Sequence, residues 1–577
     1  MKRTKIRNRL LFCSCLACGM LMSGCSDSDY DISSVDAKLG VGGSLSLPSD
    51  NSVIITLDDI LNLGNTDLIK VLDNGDYQFG KDPESVSGVN VKVNEISNDG
   101  LVSNIPISAI NLDASIMAYS GQVIKLSDYG FDPLKVTQNI STFNYSFDVP
   151  NDVKELEEIM LKNGGSDLNL TITLPSVKSI SKFVIKLPVQ LVLENKGIGT
   201  FDPATNILTL PAGTEVNQST HKLELKFKVT SIKAQLDDNH QFILNGNVNL
   251  DVEVDEIIVP STTEVQFDAN VTLATMTVSS AKGKFDPKID AQNIGSTTIN
   301  SLPDFLTDTR VVADVDNPQI WLTLESNLPL GGYVEAKLSS TTSSKDVVLS
   351  KANGNELSIA ANGTTRLVVC RKAPATLSGY TPVIAPDLSN IIRKLEEGMK
   401  INIDITKFSA NNDVTTVELG KDYTLAPTYN FTAPLVLGDE AQIVYSDNED
   451  DLHKDLKDLK LEKGAVLTVA ADVNNKVPAD LEINITPLGL DGQPISTLVV
   501  KPIQNKVAAG AAADKIKYEI SDPNGTGLNQ LDGIEYELLV TAPTASSEKG
   551  KVLNKTQEIV IKTTDLHLNG QVIVDTD

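Results

Sequence analysis

The chain has 577 residues, which predicts more than one domain, and 41% hydrophobic residues are enough to build sizeable cores. Its 76 acidic residues exceed its 49 basic ones and give a formal net charge of −27, which excludes a nucleic-acid binder that relies on a surplus of positive charge. A mean hydropathy of −0.06 excludes a polytopic membrane protein.

The first 24 residues have the composition of a secretory signal peptide. Five basic residues and no acidic one stand at the start, namely Lys2, Arg3, Lys5, Arg7 and Arg9. The apolar stretch Leu10–Met22 follows, and as a helix it spans roughly 20 Å, short of the ~30 Å hydrocarbon core of a bilayer. A segment this short predicts a cleaved signal and not a transmembrane anchor. Its removal changes the formal net charge from −27 to −32.

The apolar stretch ends in a short motif around a cysteine, Leu21-Met22-Ser23-Gly24-Cys25. The motif resembles the lipobox of bacterial lipoproteins, although Met22 stands where that family usually has Leu. The resemblance implies that Cys25 is acylated and becomes the first residue of the mature chain. Two or more acyl chains would hold it stably on a membrane, whereas one binds marginally. We expect no cofactor other than this covalent lipid on Cys25.

Serine and aspartate dominate the residues directly after the expected cleavage site. The run consists of Ser26, Asp27, Ser28, Asp29, Tyr30 and Asp31. It resembles the export signal of surface lipoproteins in Bacteroides-type bacteria. The resemblance implies an anchor in the outer leaflet of the outer membrane, with the protein on the cell surface. The alternative is a solvated acidic linker without a signal function. In both cases residues 25–50 are expected to form a lipidated acidic tether.

The five cysteines reduce to two after this cleavage. Cys13, Cys15 and Cys18 lie in the signal peptide, and Cys25 carries the lipid. Cys370 then remains as the one free thiol, so no internal disulfide is expected. Because Cys370 ends an alternating apolar run, it is predicted to be a buried strand residue.

The body of the chain alternates apolar and polar residues with a period of two, which predicts strands with one buried face. Clear examples lie at 168–174, 223–229, 248–254, 401–405 and 481–485. Turn signals lie at 73–75, 245–246, 491–492, 522–525 and 569–570. No βαβ rhythm is present. We therefore predict a mainly β fold with two or more antiparallel β-sandwich-like domains.

Three segments have the apolar spacing of short amphipathic helices, each ended by a glycine. The first is Asp152–Asn163, before Gly164. The second has Leu388, Ile391, Ile392 and Leu395 on one face, and the third runs from about 449 to 463. Each is followed by an alternating strand, which suggests that one unit is reused.

A loose repeat suggests how the domains are arranged. Residues 145–150 and 429–434 share the pattern Tyr-x-Phe-x-x-Pro at an offset of 284 residues. We predict β-rich domains over 51–315 and 316–577, and the second can be a distant duplication of the first.

Candidate catalytic and metal-binding motifs are few. The four histidines have no ligand spacing, and no Gly-x-Ser-x-Gly elbow is present, so we assign no catalytic residue and expect no enzyme. Asp447, Glu449 and Asp451 stand in a run with the oxygen density of a calcium loop but without the glycine that an EF-hand needs. The same acidic residues also suit the first turn of a helix. This run is the one weak metal candidate.

Aromatic residues are scarce, at 5%, and Trp321 is the one tryptophan. It stands in an apolar strand that is expected to be buried. Since sugar clefts usually present stacked Trp and Tyr, this composition counts against glycan hydrolysis and against aromatic glycan platforms.

Three functional hypotheses follow from the sequence. The leading one is a surface-anchored outer-membrane lipoprotein that acts as a non-enzymatic binding, adhesion or envelope-structural module. The second is an anchored carrier of hydrophobic ligands with an aliphatic tunnel between its strands. The third is a glycan-degrading enzyme with weak motifs. The outer membrane is the expected partner through the lipid, and a protein, glycan or lipid partner stays open.

Overall fold

The structure is a computed structural model that describes residues 38–46, 52–63, 66, 68–85, 89–92, 97–98, 101–233, 235–287, 292–300, 302–343, 345–450, 452–453 and 459–575. The predicted signal peptide, Cys25 and the Ser/Asp run lie outside the described residues and stay predictions. The prediction of a mainly β, antiparallel fold is confirmed.

The strands are numbered here in chain order, and the α-helix α1 spans Leu57–Leu61. The first strands are β1 (Lys38–Ser46), β2 (Ser52–Thr56), β3 (Ile69–Val71), β4 (Tyr77–Ser85) and β5 (Val89–Lys92). The next are β6 (Ser97–Asn98), β7 (Leu101–Pro106), β8 (Ile110–Asn111), β9 (Val123–Lys125), β10 (Leu134–Asp148), β11 (Val153–Leu161), β12 (Ser166–Thr173), β13 (Val177–Ile180), β14 (Lys182–Lys186) and β15 (Leu191–Asn195). There follow β16 (Thr200–Asp202), β17 (Ile207–Leu210), β18 (Thr214–Glu215), β19 (Lys222–Lys233), β20 (Gln241–Val254), β21 (Glu256–Ile258), β22 (Glu264–Val265), β23 (Asp268–Leu273) and β24 (Met276–Phe285).

The second half of the chain continues this numbering. Its first strands are β25 (Gln292–Thr298), β26 (Gln319–Ser326), β27 (Gly332–Ser340), β28 (Val347–Leu349), β29 (Leu357–Ile359), β30 (Thr364–Cys370), β31 (Thr381–Ile384), β32 (Lys400–Ala410), β33 (Thr415–Glu418) and β34 (Asp422–Pro434). The last are β35 (Gln442–Glu449), β36 (Leu459–Leu461), β37 (Ala465–Asn475), β38 (Asp480–Gly489), β39 (Val499–Gln504), β40 (Lys506–Val507), β41 (Asp514–Asp522), β42 (Leu531–Thr541) and β43 (Glu558–Asp575). Short 3-10 helices span Ala114–Tyr119, Leu126–Tyr129, Lys162–Gly164, Asp304–Thr307, Lys351–Asn353, Leu388–Ile391 and Leu528–Gln530.

Strand pairing nests the chain into three units. The outer unit has the sheet β1-β43-β37-β41-β39, with β2 and β36 also paired to β43, and the sheet β35-β42-β38-β40. The middle unit has the sheet β3-β4-β34-β26-β30-β31, with β5 on β34, and the sheet β25-β32-β27-β28, with β29 on β27. The inner unit has the sheet β24-β11-β19-β12-β23-β7, with β15 on β19 and β6 on β24, and the sheet β10-β20-β14-β17-β16. Two small sheets, β18-β13-β21-β9 and β22-β8, complete the inner unit.

Each unit buries one face of its strands, as the period-two alternation predicts. In β12, Leu168, Leu170 and Ile172 are fully buried, while the residues between them are exposed or half-buried. Each such side chain contributes roughly 1.5–3 kcal/mol through removal from water. Cys370 is buried at the end of β30, so the prediction of a buried strand residue is confirmed.

The predicted boundary near residue 315 is corrected by the strand pairing. In the middle unit, β4 and β5 pair with β34, and in the outer unit β1 and β2 pair with β43. Strands from both sides of residue 315 therefore share sheets. The chain cannot be divided at one position, because the segments before and after the inner unit pair with each other to form the middle and outer units.

The units join through backbone contacts. β33, in the second half of the chain, pairs with β24 at the edge of the inner unit. Val312 and Val315, which precede β26, bridge to Gln442 and Leu437 on the side of the outer unit. Leu553 of the outer unit hydrogen-bonds through its backbone with Tyr77 and Leu435.

The predicted helix over Asp152–Asn163 is wrong, because Val153–Leu161 forms β11. Irregular pairing between β11 and β24 shifts the register at three points along the strand. Each irregularity adds a residue to one strand and turns a period of two locally into a period of three. Val153, Leu156 and Ile159 are consequently buried with the spacing of a helix face.

The other two predicted helices are largely absent from the described residues. Leu388–Ile391 forms a single 3-10 turn, in which Leu388 and Ile391 are buried. Around the third segment, β35 continues to Glu449 and Leu459–Leu461 is β36, while 451 and 454–458 lie outside the described residues. The α-helix α1, capped by Thr56 and Asp59, was not predicted.

Two of the predicted turns are also wrong. Asn245-Gly246 lies inside β20, where a Cβ on the glycine would come within 2.5 Å of Pro188. Asn569-Gly570 lies inside β43. The turns at 73–75, 491–492 and 522–525 are confirmed by glycines with positive φ. No helix among the described residues is long and apolar enough to span a bilayer.

Candidate binding groove

A groove of about 410 Å³ opens on the middle unit where its two sheets meet. Its walls come from the end of β29, from the first half of β30 and from the start of β31. β31 pairs in parallel with β30 from Leu367 onward. The groove therefore runs along the part of β30, Thr364–Arg366, that precedes this pairing.

Hydroxyl groups dominate the side chains that line the groove. The lining residues are Ser358, Ile359, Ala360, Thr364, Thr365, Arg366, Leu367, Gly379 and Thr381. Ser358, Thr364 and Thr381 are exposed, whereas Ile359 and Leu367 are buried beneath them. The Thr365 hydroxyl accepts a hydrogen bond from the Ala360 amide at 2.9 Å, which fixes one wall against the other. Serine and threonine hydroxyls both donate and accept, so this surface suits a polar, hydroxylated ligand.

Arg366 supplies the one charge in the lining. Its side chain is exposed, and no carboxylate of the described residues lies within the 4.0 Å of an ion pair. Across the ladder, Arg366 faces Thr323 of β26. A guanidinium without an acidic partner presents its donors to solvent in a fork that matches a carboxylate.

An aromatic pair lies next to the groove. The Trp321 and Tyr380 rings meet edge to face, with centroids 5.0 Å apart. Tyr380 stands between two lining residues, Gly379 and Thr381, and its hydroxyl hydrogen-bonds with that of Thr323 at 3.0 Å. The Trp321 indole N–H donates to the Thr432 hydroxyl at 2.9 Å. Trp321 is in a strand, as predicted, but it is half-buried on the face away from the core that Ile320 and Leu322 enter.

Arg366, Tyr380 and the groove threonines were not predicted from the sequence as site residues. Residues 362–366 carry a local signal, an Asn-Gly turn followed by Thr-Thr-Arg at the start of an apolar run. The pairing that brings Tyr380 and Ser358 beside them joins separate segments of the chain, so no local pattern could show it.

A cavity of about 30 Å³ lies between the two sheets of the middle unit. It is lined mainly by apolar side chains, among them Leu68, Phe79 and Ile403. A cavity of this size holds a few water molecules at most, so it does not accommodate an acyl chain. The hypothesis of a hydrophobic carrier gains no support from it.

The structure assigns another role to the calcium candidate Asp447. It lies in β35, where its carboxylate accepts hydrogen bonds from the Tyr445 and Tyr536 hydroxyls, both at 3.2 Å, and from the Asn448 amide at 2.9 Å. Burial, together with the negative charge of Asp447, raises the pKa of both tyrosines. Glu449 ends the same strand, and Asp451 lies outside the described residues.

Other candidate chemistry resolves into structural contacts. Within the described ranges, no cluster of three or more His, Cys, Asp or Glu residues could hold a metal ion. His221 and His240 occupy turns with positive φ. Burial raises the pKa of the Cys370 thiol, which disfavours the reactive thiolate.

Comparison with known proteins adds no argument about function. No protein-family model and no curated protein sequence matches the chain. A presumed secreted protein from Parabacteroides distasonis ATCC 8503 has 18% sequence identity and a TM-score of 0.35, over 50% of this chain and 89% of that one. A structure of infectious bursal disease virus (Gt strain) has 10% identity and a TM-score of 0.13, over 77% and 79% of the two chains. An archaeal-virus structure with a triple jelly roll has 8% identity and a TM-score of 0.12, over 82% and 91%.

Proposed function

We propose that the protein is a lipoprotein anchored at the cell surface, whose nested β units form a non-enzymatic binding module. The nesting is the observation that carries this proposal. β1 pairs along its whole length with β43, from Lys38 opposite Asp575 to Ser46 opposite His567. The expected tether of residues 25–50 thus extends into β1, and its part before residue 38 would lead directly into the outer unit.

The middle and inner units are then carried outward from the anchored unit. The middle unit joins the outer unit through bridges from Val312 and Val315, and the inner unit joins the middle one through β33 and β24. The groove with Arg366 lies on the middle unit, one unit away from the expected anchor. This order suits a protein that holds a binding surface away from the membrane.

The lipid anchor is tested by replacing Cys25. Cells that express the full chain are fed a labelled fatty acid, and the purified protein is assayed for the label. We expect the label in the parent protein and its loss in Cys25→Ala, because only the thiol accepts the diacylglycerol. Cys370→Ala is the matched control and should keep the label, since it removes a buried thiol elsewhere. Equal labelling of Cys25→Ala would contradict the anchor.

Surface display is tested on intact cells with a protease that does not cross the outer membrane. We expect the parent protein to be digested, and a chain with residues 26–31 replaced by alanine and glutamine to be protected, because it keeps the lipid and loses the Ser/Asp run. Lysed cells give the control in which both proteins are digested. Protection of the parent protein in intact cells would contradict surface display.

A further inference from the structure

We infer that the groove on the middle unit binds a short oligosaccharide that carries a carboxylate. The inference rests on the binding function proposed above and assigns it a ligand class. Its basis is the juxtaposition of one guanidinium without an acidic partner, Arg366, with a cluster of side-chain hydroxyls in a groove of about 410 Å³. That volume lies within the range of small-molecule sites in proteins.

Arg366 determines the charge of the ligand. The guanidinium is a cation with donors only, so a carboxylate is its natural partner. Glu325 of the neighbouring strand β26 lies opposite Thr364 in the ladder, two register pairs away from Arg366. A bound carboxylate would thus form the ion pair that the described residues do not supply.

The hydroxyl groups determine the rest of the ligand. Ser358, Thr364 and Thr381 are exposed in the groove and can exchange hydrogen bonds with sugar hydroxyls in both directions. An extended peptide would instead require pockets for its alternate side chains. The apolar lining residues Ile359 and Leu367 are buried and offer no such pockets.

The overall charge limits the number of anionic groups that the ligand can carry. A formal net charge of −27 repels polyanions, and one guanidinium cannot offset a long series of carboxylates. Charges beyond about 8 Å are screened at physiological ionic strength, so a short ligand with one carboxylate beside Arg366 experiences mainly this local attraction.

Trp321 provides an optical signal beside the groove, since it is the one tryptophan of the chain and contacts Tyr380, which stands between two lining residues. The mature lipoprotein in detergent is titrated with short oligosaccharides that each carry a single uronic acid, such as glucuronosyl-xylobiose, while the tryptophan emission is recorded. The same oligosaccharides with methyl-esterified carboxylates are the matched ligand control, because they keep the hydroxyls and lose the charge. We expect a saturable change with the free acids and at least a tenfold weaker affinity for the esters.

Variants connect this signal to the groove. Arg366→Gln should weaken the binding of the free acids about tenfold or more. The affinity of Arg366→Lys should lie between those of the parent protein and of Arg366→Gln. Lys226→Gln, which removes one exposed positive charge from the inner unit, should leave the affinity unchanged. Melting curves check that all three variants fold. Since Arg366 is exposed, we expect its replacement to leave the melting temperature unaltered.

Three results would overturn the inference. They are equal affinity for acids and esters, no effect of Arg366→Gln, and no saturable change with any oligosaccharide. Binding of an acidic peptide in place of the sugars would equally reject it in favour of a protein partner. These outcomes are independent of the labelling and protease tests above. A displayed lipoprotein that binds no acidic sugar refutes the ligand class and leaves the proposed anchoring and display in place.

Discussion

Asp522 is a fully buried carboxylate that organises the turn between β41 and β42. Its Oδ1 accepts hydrogen bonds from the amides of Asn524 and Gly525 at 3.2 and 2.8 Å. Its Oδ2 accepts those of Gly527 and Leu528 at 2.8 and 2.9 Å. A carboxyl group can be buried this deeply because both of its oxygens have donors. The turn signature at 522–525 was recognised in the sequence, but the extent of this network depends on the folded loop.

Replacement of Asp522 by alanine should destabilise the outer unit by about 3 kcal/mol or more, because four amides lose an acceptor and some stay buried without one. Asp522→Asn should cost less, since its amide oxygen can still serve two donors. Hydrogen exchange of the β41 amides measures this loss locally, without requiring that the three units unfold together.

Asp491→Ala is the matched control for this experiment. Asp491 also lies in a predicted turn, but it is exposed and accepts the Gln493 amide at 3.0 Å. We expect an effect below about 1 kcal/mol, because water can replace this acceptor at the exposed surface. Equal effects of the two alanine variants would show that the buried network contributes nothing.

β11 and β24 show, at the level of the element, why the sequence was misinterpreted. Their register shifts bring the carbonyl of Glu155 against Gly283, and a Cβ at Gly283 would overlap that oxygen. A glycine in a strand marks such a close approach of two backbones. Gly283 is thus required by packing. The irregular strand pair also produces the helix-like spacing that misled the prediction.

Gly283→Ala should therefore destabilise the inner unit by about 2 kcal/mol or more, because the clash is with backbone and a side-chain rotation cannot relieve it. Gly363→Ala is the matched control. It has no positive φ, and its nearest neighbour to a new Cβ is the Ala361 carbonyl at 3.5 Å. Urea unfolding measures the stability of both variants. If Gly283→Ala is as stable as the parent protein, the close approach of the Glu155 carbonyl does not require a glycine.

At the scale of the whole molecule, alternation predicted the buried faces but not the partners. The pattern of Leu168, Leu170 and Ile172 identifies which face of β12 is buried, and the structure agrees. The pairing of β1 with β43 joins residues more than five hundred positions apart and leaves no local signal. The same limit applies to the groove, since Ser358, Arg366 and Thr381 come together only through sheet topology.

Charged side chains lie at the junction between the middle and outer units, where Arg310 reaches across to Glu537. Arg310 contacts Asp308 and Glu537 of β42, each at 2.8 Å, and Lys549 contacts Asp439 at 3.0 Å. The hydrogen bond from Arg310 lowers the pKa of Asp308, and the hydrogen bond from Lys549 lowers that of Asp439. Both carboxylates therefore have a pKa in the folded protein below the ordinary value of 3.8.

Acid should loosen this junction. A lowered folded-state pKa stabilises the protein fully above the ordinary value of 3.8, and the stabilisation is lost as the pH falls through the lowered pKa. The bridging amides of Val312 and Asp316 should keep their protection against hydrogen exchange at pH 5 and lose part of it near pH 3, after correction for intrinsic rates.

Arg310→Met should lower the protection of these amides at pH 5 and make it depend less on pH. Lys182→Met, which breaks an equivalent pair with Asp251 inside the inner unit, should leave the junction amides unchanged. Junction amides with the same protection at both pH values would mean that backbone bridges and apolar packing hold the two units together without these pairs.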